Sequence, residues 1–459
     1  MADTPVSVAL CPDTPEARYA LDTLLHVLGV ASRDAHAGEV ADIAYGDAPG
    51  RCVIPAGPQD GWNDPRPVLT RDGSQAILHR PGGPARGRAG ADLGFDVLYA
   101  AYAFLTAPWE RVDEVDRVGT PVAAAGWLAA NDLLLEPMVH RYAALIADAL
   151  GRGALPERSI VLTHDVDSNF GHVFAVRESA ALLRRELQER RLSAARRAAG
   201  LGRRIARRAM RGYDPNDRWE EWASLAADLG GRPAYFVASA GLFDDGADRY
   251  DPPYDVTHPE VRRTLRALVA EGAEIGVHFS LAARRSTAAV REQRARLEEV
   301  VGARVASARH HWWALGNPPE PTLRAQADAG VRVDCSFGFN DRIGYRRGIA
   351  YPFRPFDPEN RRVIDLWALP TLAMDIALFN EHTPAFERAP ALERLVETVR
   401  ATGGALVLNW HAHALNPRVL HGSGEGLRAL LGTLAPNSWT ALTPLELADA
   451  AEARRGAAG

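Results

Sequence analysis

The feature that most restricts this chain is a rhythm that begins after residue 150. Short apolar runs at residues 159–163, 234–238, 274–277, 305–309, 331–335, 363–369 and 405–410 alternate with stretches of helical periodicity. Strands that alternate with helices pair in parallel, so the expected architecture is a distorted seven-stranded (β/α) barrel. Asp165, Asp167, His278, His311, Asp334 and His411 each fall at or just past the end of such a run. That is the rim on which barrel enzymes assemble their sites.

At 459 residues the chain exceeds a typical single domain. Before the rhythm begins, apolar runs at 6–10, 41–45 and 52–55 alternate with amphipathic helices at 17–28 and 127–150. Residues 1–150 therefore read as a smaller α/β unit. It shows no cluster of histidines and carboxylates, which points to a structural or substrate-presenting role. Residues 80–90, rich in Gly, Pro and Arg, read as an exposed loop, and 151–156 as a linker to a second unit, 151–459.

A net charge of -5, spread over many acids and bases, excludes a global pull toward nucleic acid. The local exception is a helical insertion at about 180–211, with eleven arginines against Glu186 and Glu189. It is either a solvated helical face or a dock for an anionic partner: a nucleotide-sugar, a lipid-linked phosphate or a membrane surface. Residues 1–10 lack a basic segment followed by an apolar one, and no later run is long enough to span a bilayer, so a cytoplasmic location is expected. Cys11, Cys52 and Cys335 form no Cys-x-x-Cys pair and are expected to be buried apolar residues.

The chemistry starts at Thr163-His164-Asp165-Val166-Asp167. Two carboxylates two residues apart at a strand end face one pocket if the strand continues, so one can hold a cation while the other polarises water. Alone, the pair is equally a turn or a helix cap. The run 274–277 ends in His278, and neutral imidazole is the commonest metal ligand. In Arg309-His310-His311 the period of two puts Arg309 and His311 on one face. The run 405–410 ends in His411, suited to protonating a leaving group, with His413 on the same face as the runner-up.

In this order the segments resemble the polysaccharide deacetylases, carbohydrate esterase family 4, and in particular a bacterial branch with an extra N-terminal α/β domain. The likeness extends to residues 95–98 and 105–110 of the first unit. It implies that Asp165 is the catalytic base and Asp167 a metal ligand, that Arg309 orients the base, and that His411 is the general acid. It implies one departure as well. The family's second motif holds two ligand histidines four residues apart; His278 matches the first, but Ala282 stands at the second. The family's third motif reads Arg-x-Pro-Tyr, and here His311 occupies the proline position. His311 is thus expected to replace the missing ligand; the competing account is a metal-free site. Asp334-Cys335-Ser336, Gly344-Tyr345-Arg346-Arg347-Gly348 and Asp375 match segments that line the substrate side in the family. Arg346 either binds a substrate carboxylate or phosphate, or lies in a turn that the glycines require.

The expected activity is metal-dependent removal of an N-acetyl group, or less readily an O-acetyl group, from a sugar, nucleotide-sugar or lipid-linked saccharide. Zinc suits Asp167, His278 and His311, with cobalt, nickel, manganese and iron also compatible. Two other readings stay open: hydrolysis of a C–N bond in a small amide or imide, and an inactive glycan-binding protein.

Overall fold

A computed structural model describes the chain except residues 1–4, 59–60, 73–74, 81–92, 153–157, 175–213, 241–250, 253, 380–382, 435–437 and 459. The arginine-dense stretch, most of the expected linker and most of the expected 80–90 loop lie outside the described residues. Arg80, at the start of that loop, is buried rather than exposed, its guanidinium 4.7 Å from the Trp62 ring and 4.5 Å from the Tyr99 ring. Among the described residues no helix is long and apolar enough to cross a membrane.

The amino-terminal part builds a parallel sheet from β1 (Val6–Cys11), β2 (Ser32–Asp34), β3 (Ala41–Gly46) and β4 (Gly50–Ile54), in the order β2-β1-β3-β4. A hairpin of β5 (Val68–Asp72) and β6 (Gln75–His79) follows. Helix α1 (Pro15–Leu28) starts where Thr14 Oγ1 accepts the Ala17 N–H and ends at Gly29 in the left-handed conformation. Helix α2 (Val97–Thr106) is buried at all ten positions. Apolar all round, it carries no one-sided periodicity, which is why the sequence pattern does not announce it. The single helix expected at 127–150 is two, α3 (Trp127–Ala130) and α4 (Met138–Ala149). Asp132 is left-handed (φ 57°), and Pro137, with no N–H to give, caps α4 instead of continuing it. Cys52 and Cys335 are buried, but Cys11 is exposed at the end of β1.

The larger sheet is parallel throughout: β7 (Arg158–Val166), β8 (Ala234–Ala238), β9 (Glu274–Phe279), β10 (Ser307–His310), β11 (Val333–Asp334), β14 (Trp367–Ala368), β15 (Ala373–Met374), β16 (Gly404–Asn409) and β17 (Thr440–Ala441). Its order is β14-β11-β10-β9-β8-β7-β16-β15, with β17 beside the first half of β7. The edge strands β14 and β15 are joined directly by residues 369–372. That connector takes hydrogen bonds from one edge to the other, Leu369 N–H to Asp334 O and Leu372 N–H to Val407 O. The sheet therefore curls into an open α/β half-barrel. Around it lie helices α5 (Trp219–Asp228), α6 (Pro259–Ala270), α7 (Thr287–Val301), α8 (Glu320–Asp328), α9 (Asp375–Phe379), α10 (Ala385–Thr402), α11 (Ser423–Thr433) and α12 (Pro444–Ala458). The run 363–369 is divided: Val363 pairs in a small antiparallel hairpin, β12 (Phe356–Asp357) with β13 (Arg362–Val363), and only Trp367 and Ala368 reach the sheet. The exposed carboxylate of Asp365 between them is too costly to bury in a strand.

Alternation along the central strands separates two faces. Ile160, Leu162, Leu406 and Leu408 enter one apolar cluster, shared with Leu265, Leu297 and Leu395 of the surrounding helices. Val161, Phe236, Ala405 and Val407 enter another, which continues into the amino-terminal part through Leu21, Leu24, Tyr102 and Phe104. The second face is the one that carries Thr163, Asp165 and Asn409 to the rim.

Two glycines let the two parts approach. Gly344 (φ 148°) and Gly348 (φ 63°) lie where a Cβ would sit 2.3 Å from Leu134 O and 2.8 Å from a Phe104 ring carbon. Between them, Arg346 gives Nε and Nη2 to the two oxygens of Glu110 at 2.9 and 3.1 Å, and Arg347 adds a third bond at 3.2 Å. Arg346 is 1% exposed. Of the two readings of Arg346, these contacts favour the structural one over binding of a substrate anion: its charge is matched, across the junction, by a carboxylate far away in sequence.

Candidate metal centre

Three side chains meet at the carboxyl ends of three strands of the larger sheet. Asp167 follows β7, His278 lies in β9, and His311 follows β10; each offers a ligand atom within 4.8 Å of the others. His278 Nε2 is 3.4 Å from Asp167 Oδ1, and His311 Nε2 is 3.5 Å from Asp167 Oδ2. These distances are long for hydrogen bonds. They match the ~3.4 Å edge between ligands that sit about 2.1 Å from one tetrahedral ion. Asp167 Oδ1 and His278 Nε2 are also buried without a hydrogen-bond partner, an expense that a shared cation removes.

The far side of each imidazole sets its tautomer. Nδ1 of His278 faces the Arg309 carbonyl at 3.1 Å, and Nδ1 of His311 faces Asp251 Oδ1 at 3.2 Å. Both partners only accept, so Nδ1 carries a proton in each ring, and Nε2, aimed at Asp167, is the nitrogen that would offer its lone pair to a cation in exchange for a proton. Burial pushes His311 down, but Asp167 and then Asp251 pull it up to about 9. Burial likewise raises Asp167, yet the charge of His311 and the facing His278 and His411 hold it well below the usual carboxylate range. Asp251, which also accepts the Leu281 N–H at 3.0 Å, was not singled out from the sequence, where it stands in no strand-end pattern.

His311 owes its position to a turn. Strand β10 ends at His310, and Trp312 (φ 58°) and Trp313 (φ 53°) are both left-handed, a conformation costing about 1–3 kcal/mol per residue that needs outside support. Support comes from both parts of the chain: the Trp312 carbonyl accepts from Thr120 Oγ1 at 2.8 Å and from Asn340 Nδ2 at 3.0 Å.

Asp165 is 3% exposed, and both its oxygens are engaged. Arg309 Nη1 donates to Oδ1 at 2.7 Å, and Asn409 Nδ2 donates to Oδ2 at 2.7 Å. Arg309 is itself held by Thr163 Oγ1 (2.9 Å), Thr371 Oγ1 (3.2 Å) and the Cys335 carbonyl (3.2 Å), with its guanidinium 4.3 Å from the Phe236 ring. Burial raises the Asp165 carboxyl, but Arg309, His278 and His411 more than compensate and keep it ionised.

His411 stands across from this pair, its Nε2 3.5 Å from Asp167 Oδ2. Asp375 grips it from behind, accepting from Nδ1 at 2.7 Å and from the backbone N–H at 2.9 Å. Burial disfavours its charge, but Asp375 and Asp167 drive it well above the ordinary histidine value. Asp375 is fully buried, so its expected contact with substrate is replaced by contact with His411. Asp334 is also fully buried, its oxygens accepting from Gln326 Nε2 and the Ser336 backbone and hydroxyl in place of the substrate contact expected of it. His413 lies beside His411, ring centroids 5.3 Å apart, and burial pushes it down to about 4. Ala282 sits in the short helical turn Leu281–Arg285 after β9.

No protein-family model and no curated protein matches the chain. Solved structures of similar fold exist. Among them are deacetylases and an allantoinase. The allantoinase superposes with a TM-score of 0.38 at 12% identity, covering 65% of this chain and 90% of its own. A peptidoglycan deacetylase mutant from Bacillus subtilis gives 0.30 at 11% identity, with 66% and 94% covered. A polysaccharide deacetylase from Bacillus cereus gives 0.29 at 9% identity, with 62% and 91% covered. At such values the chemistry has to be read from the side chains described above.

Proposed function

We propose that this protein is a metal-dependent hydrolase that removes an N-acetyl group from a sugar or saccharide precursor. The observation that carries the reading is the convergence of Asp167, His278 and His311 beside a separately held carboxylate, Asp165. The donor set fits a divalent cation: one carboxylate, two imidazoles of matched tautomer, and buried ligand atoms otherwise without partners. Two imidazoles with one carboxylate favour zinc. Bound there, the cation supplies Lewis acidity toward an acyl oxygen and lowers the pKa of water.

The remaining steps belong to the protein. Asp165, kept ionised by Arg309 and Asn409, retains a lone pair on each oxygen and takes a proton from the attacking water. His411, whose Nδ1–H is committed to Asp375, delivers the proton on Nε2 to the departing nitrogen as the C–N bond breaks. An amine leaves only when protonated, so a histidine held in its charged form supports an amide over an ester. The saccharide part of the reading comes from the resemblance of the motifs.

The test is acetate release by the full chain, stripped with chelator and reloaded with Zn2+, from a nucleotide-linked N-acetylhexosamine and from N-acetylglucosamine oligomers. Turnover is expected with at least one, and its loss in Asp165→Asn. Zinc-loaded protein that frees neither acetate nor amine from either would overturn the reading.

A further inference from the structure

The turn that carries His311 past the end of β10 is held by a loop of the other part of the chain, residues 116–120. Asp116 gives that loop its shape. Its N–H donates to Thr120 O at 2.8 Å, the Gly119 N–H donates to Asp116 O at 3.0 Å, and Asp116 Oδ1 accepts the N–H of Val118 and of Thr120, each at 2.9 Å. An aspartate that bonds the backbone of its own turn in this way fixes the turn. Val118 and Thr120 are both buried.

From this frame the loop reaches His311 from two sides. In front, Thr120 Oγ1 donates to the Trp312 carbonyl at 2.8 Å, and Asn340 Nδ2, which also donates to Asp116 Oδ2 at 2.8 Å, donates to the same carbonyl at 3.0 Å. Trp312 follows the ligand directly, so fixing its carbonyl fixes the direction in which the chain leaves His311. Behind, the Val118 carbonyl accepts from Arg284 Nη1. Arg284 ends the short helical turn Leu281–Arg285, whose Leu281 N–H donates to Asp251 Oδ1, the oxygen that faces His311 Nδ1. Val118, Leu281 and Ala314 form a small apolar cluster with Trp312 packed against it, which ties the loop to both segments flanking the ligand.

The left-handed turn at Trp312 and Trp313 persists only while its surroundings hold it. Released, it would let His311 Nε2 leave the position, 3.5 Å from Asp167 Oδ2, that a shared tetrahedral ion requires.

We infer that residues 116–120 are a positioning element of the metal centre, with Thr120 as a positioning residue for His311, so that the amino-terminal part sets the affinity of the site for its cation. The inference rests on the reading of Asp167, His278 and His311 as ligands.

The test titrates metal-stripped, full-length protein with Zn2+ against a chromogenic chelator, and with Co2+, whose visible spectrum reports the geometry of its ligands. Thr120→Val keeps the shape of the side chain and removes the donor; zinc affinity is expected to fall roughly 10-fold, with an altered cobalt spectrum. Thr120→Ser restores the hydroxyl and is expected to bind as the wild type does. Asn340→Leu, at the other donor to the Trp312 carbonyl, is expected to repeat the loss. In a His311→Ala background Thr120→Val should weaken binding no further, because the ligand it positions is gone. Wild-type affinity and spectrum in Thr120→Val would overturn the inference, as would an equal loss with and without His311. Zinc binding indifferent to His278→Ala would defeat the metal reading and this inference with it, so the two failures are told apart by different variants.

Discussion

Asp251 accepts a hydrogen bond from Nδ1 of His311 at 3.2 Å and so turns the other nitrogen of that ring toward Asp167. The contact does for His311 what the Arg309 carbonyl does for His278. Asp251→Asn puts a weaker acceptor behind the ring. The affinity for Zn2+ at the Asp167 site should fall roughly 10- to 100-fold, as read by competition with a chromogenic chelator.

Asn409 is expected to matter for rate, not for metal. Its Nδ2 donates to Asp165 Oδ2 at 2.7 Å, the oxygen that Arg309 does not engage. Losing a hydrogen bond to a charged group costs about 1.5–3 kcal/mol, which in a barrier is roughly a 10- to 100-fold drop in kcat. Asn409→Ala should show that drop with zinc content unchanged; a parallel loss of zinc would mean a structural role instead.

Asp375→Asn tests the acid. Without the carboxylate behind Nδ1, His411 no longer holds its proton, and hydrolysis of an N-acetyl sugar should fall by roughly 10²- to 10⁴-fold. A p-nitrophenyl acetate substrate, whose leaving group needs no proton, should be spared. Equal losses on both substrates would remove His411 from the acid role.

Stability should depend on pH through His140. Buried in α4, it donates from Nδ1 to Thr402 O at 3.2 Å and accepts the Ala350 N–H at Nε2 at 3.0 Å, which requires the neutral ring. Burial lowers its pKa from 6.5 to about 4. The folded state thus refuses a proton that the unfolded state takes, so stability falls as pH drops from 6.5 toward 4, by on the order of 3 kcal/mol. Urea unfolding of His140→Gln should be less acid-sensitive than that of the wild type over this window.

Glu110→Gln removes the negative partner of Arg346 and Arg347 in a fully buried junction. Stranding buried guanidinium charge should destabilise the protein by about 3–5 kcal/mol, measured by urea unfolding at pH 7. Catalytic residues lie elsewhere, so the surviving folded fraction should keep its specific activity.

How much was legible depends on distance along the chain. The parallel half-barrel follows from short apolar runs alternating with helical stretches, and the face shared by Thr163 and Asp165 follows from the two-residue period of a strand. These are local rules, readable wherever the strand is regular. They falter where regularity does: the 363–369 run splits around exposed Asp365, and α2 hides because burial on every side erases its periodicity.

What tertiary structure alone decided is who stands behind whom. Nothing near His311 in sequence points to Asp251, nothing near His411 assigns it Asp375 as a grip, and nothing near Arg346 reveals that Glu110 has already claimed its charge. Sequence by itself determines which groups reach the rim, because backbone periodicity is a property of neighbours. Their protonation, tautomer and freedom to meet a ligand depend on burial and on partners tens to hundreds of residues away, and only the folded chain brings those within hydrogen-bonding distance.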